Sequence, residues 1–162
     1  MNVKPHHLKV ALFEPRIPQN TGNIGRTCAA FQIPLHLIKP LGFSLDSKLL
    51  KRAGLDYWDF IDLTTHENFS AFKIHISDKR LIGFSKKDGI PLNKITFKPE
   101  DVLLFGREDT GLPEDIREAC DLMVSIPMPG KADSDGSNGV RSLNLSSACA
   151  IASYSALVDQ LS

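Results

Sequence analysis

The chain has 162 residues, of which 42% are hydrophobic, and its formal net charge is zero. This length and composition predict one domain of ordinary size with a real core. The balanced charge excludes a protein that attracts nucleic acid through a global positive field, so any such contact must come from local basic patches. No apolar run reaches membrane-spanning length, and the polar first nine residues contain no signal-peptide core.

The cysteine and histidine spacings argue against a metal centre. Cys28, Cys120 and Cys149 are odd in number, far apart and form no CxxC pair, so they support neither a disulfide framework nor a thiolate zinc site and favour a reduced, cytoplasmic protein. The five histidines form no HExxH or other ligand spacing. Asp133 and Asp135 do not fit the pattern of an EF-hand loop. We therefore expect no metal site.

Short apolar segments alternate with helical ones along the chain. The predicted strands are residues 10–13, 35–38, 57–61, 80–84, 101–105 and 122–126. The predicted helices are residues 21–31, 47–53, 67–77 and 113–119, followed by a C-terminal helix. This alternation predicts a single α/β domain over residues 1–162, with a mainly parallel sheet and helices on both faces.

Three polar loops leave the carboxyl ends of predicted strands, where ligands bind in parallel sheets. They are residues 15–26, 106–112 and 127–142. The first two contain glycines that allow the backbone to approach a ligand closely. Neither spells GxGxxG or a P-loop, so the loops predict a ligand site without identifying its ligand.

The C-terminal helix is apolar on two faces. Either Ser142 or Asn144 is expected to cap it. One face carries Leu145, Ala148, Cys149, Ala152 and Ala156. The other carries Ile151, Tyr154, Val158 and Leu161. Such a helix is buried on two sides, which is consistent with packing on its own sheet and on a second copy of the chain. The alternative is a plain core helix.

Four segments, which follow one another along the chain in the family's order, resemble the SPOUT superfamily of RNA methyltransferases. They are residues 18–26, residues 52–57, residues 104–113, and residues 126–128 together with 140–146. The likeness spans nearly the whole chain. It is strongest to the small tRNA ribose methyltransferases that modify the wobble nucleotide, cytidine or uridine 34.

The resemblance implies a fold and a cofactor. These proteins form a single domain with a C-terminal trefoil knot and no separate RNA-binding domain. They bind S-adenosylmethionine in a bent shape. By motif match, Phe84, Gly106, Ile126 and Ser142 would line that pocket, together with the backbone of Leu143. They also work as homodimers with the site at the subunit interface, which fits the two-faced C-terminal helix.

The resemblance also implies the catalytic residues for attack of a ribose 2′-hydroxyl on a sulfonium methyl group. Arg26 is the main candidate, with Asn20, Glu108, Ser142 and Asn144 around it. Arg26 acts either as a base or as the group that stabilises the developing alkoxide, and a guanidinium barely deprotonates in proteins. Glu108 either orients Arg26 or Asn20, or accepts a turn hydrogen bond.

Local cations would bind the anticodon stem–loop of the tRNA. The candidates are Lys48, Lys51 and Arg52, with Lys86 and Lys87 after the fourth predicted strand. Such residues contact phosphates without reading sequence. The alternative is that they form an ordinary solvated face.

Two other functions are consistent with the residues. One is a ribose methyltransferase that acts on another tRNA position or on ribosomal RNA. The other is a non-catalytic RNA-binding domain, against which the presence of Arg26, Glu108 and Asn144 argues.

Overall fold

The structure is a computed structural model. It describes residues 6–46, 48, 52, 58–129 and 143–161. Most of the predicted helix 47–53, and the segment 130–142 through which a knot would run, lie outside the described residues.

In the described part of the chain, seven strands form one sheet. They are β1 (Lys9–Phe13), β2 (Leu35–Ile38), β3 (Leu63–His66), β4 (Leu81–Phe84), β5 (Ile90–Pro91), β6 (Val102–Phe105) and β7 (Leu122–Ser125). Their order is β3-β2-β1-β6-β4-β7-β5, and all neighbouring pairs are parallel. This confirms the predicted parallel sheet.

Helices cover both faces of the sheet, as predicted. They are α1 (Pro18–Phe31), α2 (Phe69–Ile76), α3 (Glu114–Ala119) and α4 (Leu145–Val158). Helices α1 and α4 pack together on one face through Ile24, Cys28 and Cys149, whereas Phe72 of α2 and Ile116 of α3 belong to the core of the other face. None of these four helices is long and apolar enough to cross a membrane.

Helix α1 begins three residues earlier than predicted, so most of the expected loop 15–26 is helical. The N-cap is Ile17, and Pro18 occupies the first turn, where its missing N–H costs nothing. Gly22 and Gly25 are buried inside the helix rather than in a turn. A side chain at Gly25 would collide with Ile61, so this glycine permits close packing.

The predicted strand 57–61 is wrong. Trp58–Phe60 form a 3-10 turn, and Phe60 is 80% exposed. Aromatic residues favour strands in general, but here Trp58 and Ile61 lie beside Gly25 of α1. The edge strand is instead Leu63–His66, a segment with little apolar character whose conformation is set by pairing with β2.

The packing of α2 on the sheet can be tested by mutation. Phe72 is fully buried, whereas Ile74 on the same helix is 80% exposed. We expect Phe72→Ala to lower the free energy of unfolding by about 3–5 kcal/mol, because it removes burial and leaves a cavity. The control Ile74→Ala should change it by no more than about 0.5 kcal/mol. Urea denaturation measures both, and equal losses would contradict the position of α2.

Candidate functional site

The carboxyl ends of β1, β6, β4 and β7 lie side by side in the sheet. We call this border of the sheet the carboxyl edge. The strand order switches direction between β1 and β6, because β2 and β3 extend the sheet on the far side of β1 whereas β4 lies on the far side of β6. Crevices at such a switch of direction are the usual ligand sites of open parallel sheets. The segments that leave these strands, at residues 14–17, 106–112, 85–89 and 126–129, therefore form one candidate site.

Glu108 ties two of these segments together. Its carboxylate oxygens accept hydrogen bonds from the backbone N–H groups of Arg16, at 2.9 Å, and Ile17, at 3.0 Å. We call this pair of bonds the Glu108 clamp. The clamp holds the segment that leads directly into α1, the helix that carries Asn20 and Arg26. The observed role of Glu108 is thus that of a loop carboxylate that bonds to backbone.

A second tie joins the same two loops. Arg107 forms an ion pair with Glu14, donating from Nε to Oε1 at 3.1 Å, and its guanidinium lies 5.2 Å from the centre of the Phe13 ring. Lys86 adds a link from the loop after β4, because its Nζ donates to the backbone oxygen of Glu108 at 3.2 Å. The Glu14–Arg107 pair was not predicted from the sequence, although Glu14 and Arg107 each lie just after a predicted strand.

Gly106 is required by the shape of its own loop. A side chain at this position would collide with the backbone of Gly111 and Leu112. The loop folds back on itself through a pair of backbone hydrogen bonds between Arg107 and Gly111, at 2.9 and 3.2 Å. Gly111 has a φ of +71°, a conformation that favours glycine. The predicted approach of Gly106 to a cofactor stays a prediction.

The other described cofactor candidates lie near Gly106. Phe84 ends β4, Gly106 follows β6 and Ile126 follows β7, and these three strands are neighbours. The Phe84 ring is stacked on that of buried Phe105 at 4.6 Å between centroids. Phe84 and Ile126 are only half-buried, so apolar surface remains at the carboxyl edge.

The start of α4 bears the remaining candidates. Asn144, one of the two predicted caps, caps this helix, with its Oδ1 accepting from the backbone N–H of Ser146 at 2.9 Å. Leu143 precedes it and is half-buried. Ser142 lies outside the described residues.

Asn20 and Arg26 differ in exposure along α1. Asn20 is 7% exposed, whereas Arg26 is exposed. The predicted catalytic arginine thus lies on the surface of a helix whose start is fixed by the Glu108 clamp.

Four of the five predicted RNA-binding cations are exposed. Lys48, Arg52, Lys86 and Lys87 belong to this set, and Lys51 lies outside the described residues. The turn that carries Lys86 and Lys87 is held by Arg117, whose guanidinium donates to Asp88 at 2.6 Å. Hydrogen bonds from Arg117 and Ser85 lower the pKa of Asp88, so this carboxylate stays ionised.

A second polar cluster lies on the face that α2 covers. His36 of β2, His66 of β3 and His75 of α2 each offer one nitrogen, and these atoms all lie within 4.8 Å of one another. The sequence spacing gave no sign of this cluster, because its members come from three different elements.

Comparison with known proteins shows which family this chain resembles over most of its length. Residues 7–154 match the model of the SpoU rRNA Methylase family. A putative tRNA (cytidine(34)-2'-O)-methyltransferase of Synechocystis sp. is 43% identical, over 92% of this chain and 94% of the relative. The tRNA (cytidine(34)-2'-O)-methyltransferase of Escherichia coli strain K12 is 40% identical, over 92% of this chain and 91% of the relative.

Solved structures share the fold. One, from work on the 2-OH methylation of C/U34 on tRNA, is 46% identical with a TM-score of 0.83, covering 94% of this chain and 95% of its own. A putative RNA methyltransferase from Bacillus anthracis is 42% identical with a TM-score of 0.83, over 94% of both chains. The family match over residues 7–154 and the relatives at 40% identity or more confirm the resemblance seen in the motifs: the chain belongs to the SpoU rRNA methylase family.

Proposed function

We propose that this chain is a cytoplasmic tRNA methyltransferase that transfers a methyl group from S-adenosylmethionine to the ribose 2′-hydroxyl of nucleotide 34, cytidine or uridine. The observation that carries the proposal is the Glu108 clamp, because it joins the loop after β6 to the helix of Arg26. Further support comes from relatives that are 40 to 46% identical over 88 to 94% of their own length and carry the name tRNA (cytidine(34)-2'-O)-methyltransferase, two of them as putative members.

The residues at the carboxyl edge suit S-adenosylmethionine. Phe84 and Ile126 offer half-buried apolar surface at neighbouring strand ends, which suits an adenine ring. The loop that begins at Gly106 offers backbone polar groups beside them. Ser142 and the backbone of Leu143 complete the proposed pocket. When bound, S-adenosylmethionine supplies the electrophilic methyl group of its sulfonium.

The protein's own contribution is to position the ribose and to stabilise charge. A ribose hydroxyl is a weak nucleophile, and negative charge grows on its oxygen as it attacks. Arg26 is an exposed residue, and its guanidinium carries a fixed positive charge with several N–H donors, which suit that oxygen or an adjacent phosphate. Asn20, which precedes Arg26 on α1, is proposed to help orient the nucleotide.

Two other residues act by positioning. Glu108 holds the backbone ahead of α1, so in this proposal it positions Arg26 rather than taking the proton itself. Asn144 fixes the start of α4 through its cap, and thereby the backbone at Leu143. The C-terminal trefoil knot, implied by the resemblance, would bring the segment 126–144 against the cofactor.

Methylation of total tRNA with labelled S-adenosylmethionine, followed by mapping of the label, tests the activity. We expect label on the ribose of nucleotide 34. Arg26→Ala should keep cofactor affinity in calorimetry and lose roughly 10²–10³ in rate, the usual cost of a missing group that stabilises transition-state charge. Arg26→Lys keeps the charge but not the planar arrangement of N–H donors, so its rate should lie between those of the parent and Arg26→Ala.

Label at another nucleotide would reassign the substrate. Parent-like turnover by Arg26→Ala would remove this residue from catalysis. Loss of cofactor binding in that variant would move Arg26 into the cofactor pocket.

The proposed functional unit is a homodimer. The outer face of α4 carries an apolar stripe of Ile151, Tyr154 and Val158, which are 44, 50 and 40% exposed. Leu92 and Pro127 border the groove beside this stripe. The opposite face of α4 is already buried against α1. A second copy of the chain would cover the stripe, which is an unusual surface for a soluble monomer.

We expect Val158→Glu to weaken the dimer, because it would bury an unpaired charge in the interface. Ile74→Glu is the matched control, since Ile74 is 80% exposed on α2, at the other face of the sheet. Sedimentation velocity at micromolar concentration should give a dimer for the parent and the control and a smaller species for Val158→Glu. A monomeric parent would rule out this interface.

The tRNA contact must come from local cations, because the net charge is zero. We expect Lys48→Glu combined with Arg52→Glu to raise the dissociation constant for tRNA and to flatten its dependence on salt by about one unit of slope per lost phosphate contact. Lys94→Glu combined with Lys98→Glu is the control, as these exposed lysines lie on the segment that leads into β6.

Filter binding at two salt concentrations measures the dissociation constant for tRNA and its dependence on salt. Cofactor affinity should be unchanged in the two double variants. A parent-like constant and slope in the Lys48/Arg52 variant would place the RNA surface elsewhere.

A further inference from the structure

The register of the sheet brings three histidines together at its β2–β3 side. Ile38 pairs with His66 and His36 pairs with Thr64, so His36 and His66 lie two residues apart in register on the same face. Helix α2 starts three residues after His66 and covers that face, which brings His75 to the pair. The ring of His75 lies 5.0 Å from that of His66 and 5.5 Å from that of His36. We call these residues the histidine cluster.

The inner two histidines form a buried pair. His36 and His66 are 3% and 7% exposed. Nδ1 of His36 and Nε2 of His66 are 2.9 Å apart, so they share one hydrogen. His75, by contrast, is exposed, which leaves the cluster open to solvent on one side.

Burial keeps the pair neutral. It lowers the pKa of His36 to about 4, with further lowering by His66, His75 and Lys9. It also lowers the pKa of His66, with His75 adding to the effect. Neutral imidazole is the form that binds metal ions, so no proton must be removed from either residue at neutral pH.

We propose that the histidine cluster is a binding site for a divalent transition metal ion, of which Zn²⁺ fits best. Three imidazole nitrogens form a known ligand set for zinc, with the fourth position left to water or another ligand. That position would face solvent on the side of His75. The ion would cross-link β2, β3 and α2.

The distances require only small side-chain movements. Zinc–nitrogen bonds of about 2.0–2.1 Å in a tetrahedron place the ligand nitrogens about 3.4 Å apart. Nδ1 of His36 and Nε2 of His66 are 2.9 Å apart, and one nitrogen from each of the three histidines lies within 4.8 Å of the others. Binding at both facing nitrogens needs the shared hydrogen to move to the other ring nitrogen of its donor, a tautomer change that keeps each ring neutral.

The site is separate from the proposed active site. The histidine cluster lies at β2 and β3, whereas the cofactor candidates follow β6, β4 and β7, and β1 stands between them. The inference therefore does not depend on the proposed methyl transfer.

Calorimetry with Zn²⁺ alone tests the site, using the full chain prepared without a polyhistidine tag and stripped of metal by a chelator. We expect one ion per chain and a rise in melting temperature with added Zn²⁺, because an ion that binds only the folded state stabilises it. His75→Ala should lower the affinity at least about tenfold and reduce the shift in melting temperature. The exposed position of His75 should leave the metal-free fold unchanged.

His7→Ala is the matched control, since His7 is exposed and is not a member of the histidine cluster. It should bind Zn²⁺ as the parent does. His75→Gln gives a second test should the alanine variant prove unstable by circular dichroism. Absence of stoichiometric binding in the parent would overturn the proposal, and so would parent-like affinity in a folded His75 variant.

Discussion

The candidate active site depends on one interaction, the Glu108 clamp. A carboxylate that accepts two backbone N–H groups forms strong, charge-assisted hydrogen bonds of fixed direction. Here the donors are Arg16 and Ile17, immediately ahead of α1. The clamp joins the ends of β1 and β6, which are already neighbours in the sheet. It therefore sets where α1 begins and where Arg26 lies relative to the loop that starts at Gly106.

Two further features of the same loops support the clamp. The Glu14–Arg107 ion pair joins the same two loops, and Gly106 lets the loop after β6 fold back without a steric clash. Helix α4 packs on α1 and keeps its apolar stripe outward. A dimer through that stripe would add a second chain next to the helix of Arg26, so the same packing would serve both assembly and catalysis.

The two proposed ligand sites use different parts of one sheet. The carboxyl edge of β6, β4 and β7 combines loops, glycines and half-buried apolar residues, which suits an organic cofactor. The histidine cluster instead lies against the face of β2 and β3, where buried imidazoles replace apolar side chains. A metal ion there would stabilise the edge of the sheet that α2 covers, without touching the loops around Glu108.

The sequence alone determined the features that depend on local pattern. The apolar runs of β1 and β6 were predicted, as was Asn144 as one of two possible caps, because periodicity and capping are local properties. The outward stripe of α4 was predicted for Ile151, Tyr154 and Val158, whereas Leu161 lies beyond the end of the helix. The motifs were sufficient to identify the family. Tertiary structure alone decided the strand Leu63–His66, the start of α1 at Pro18, the partners of Glu108 and the histidine cluster. Each of these depends on contacts between residues far apart in the chain, which no local pattern encodes.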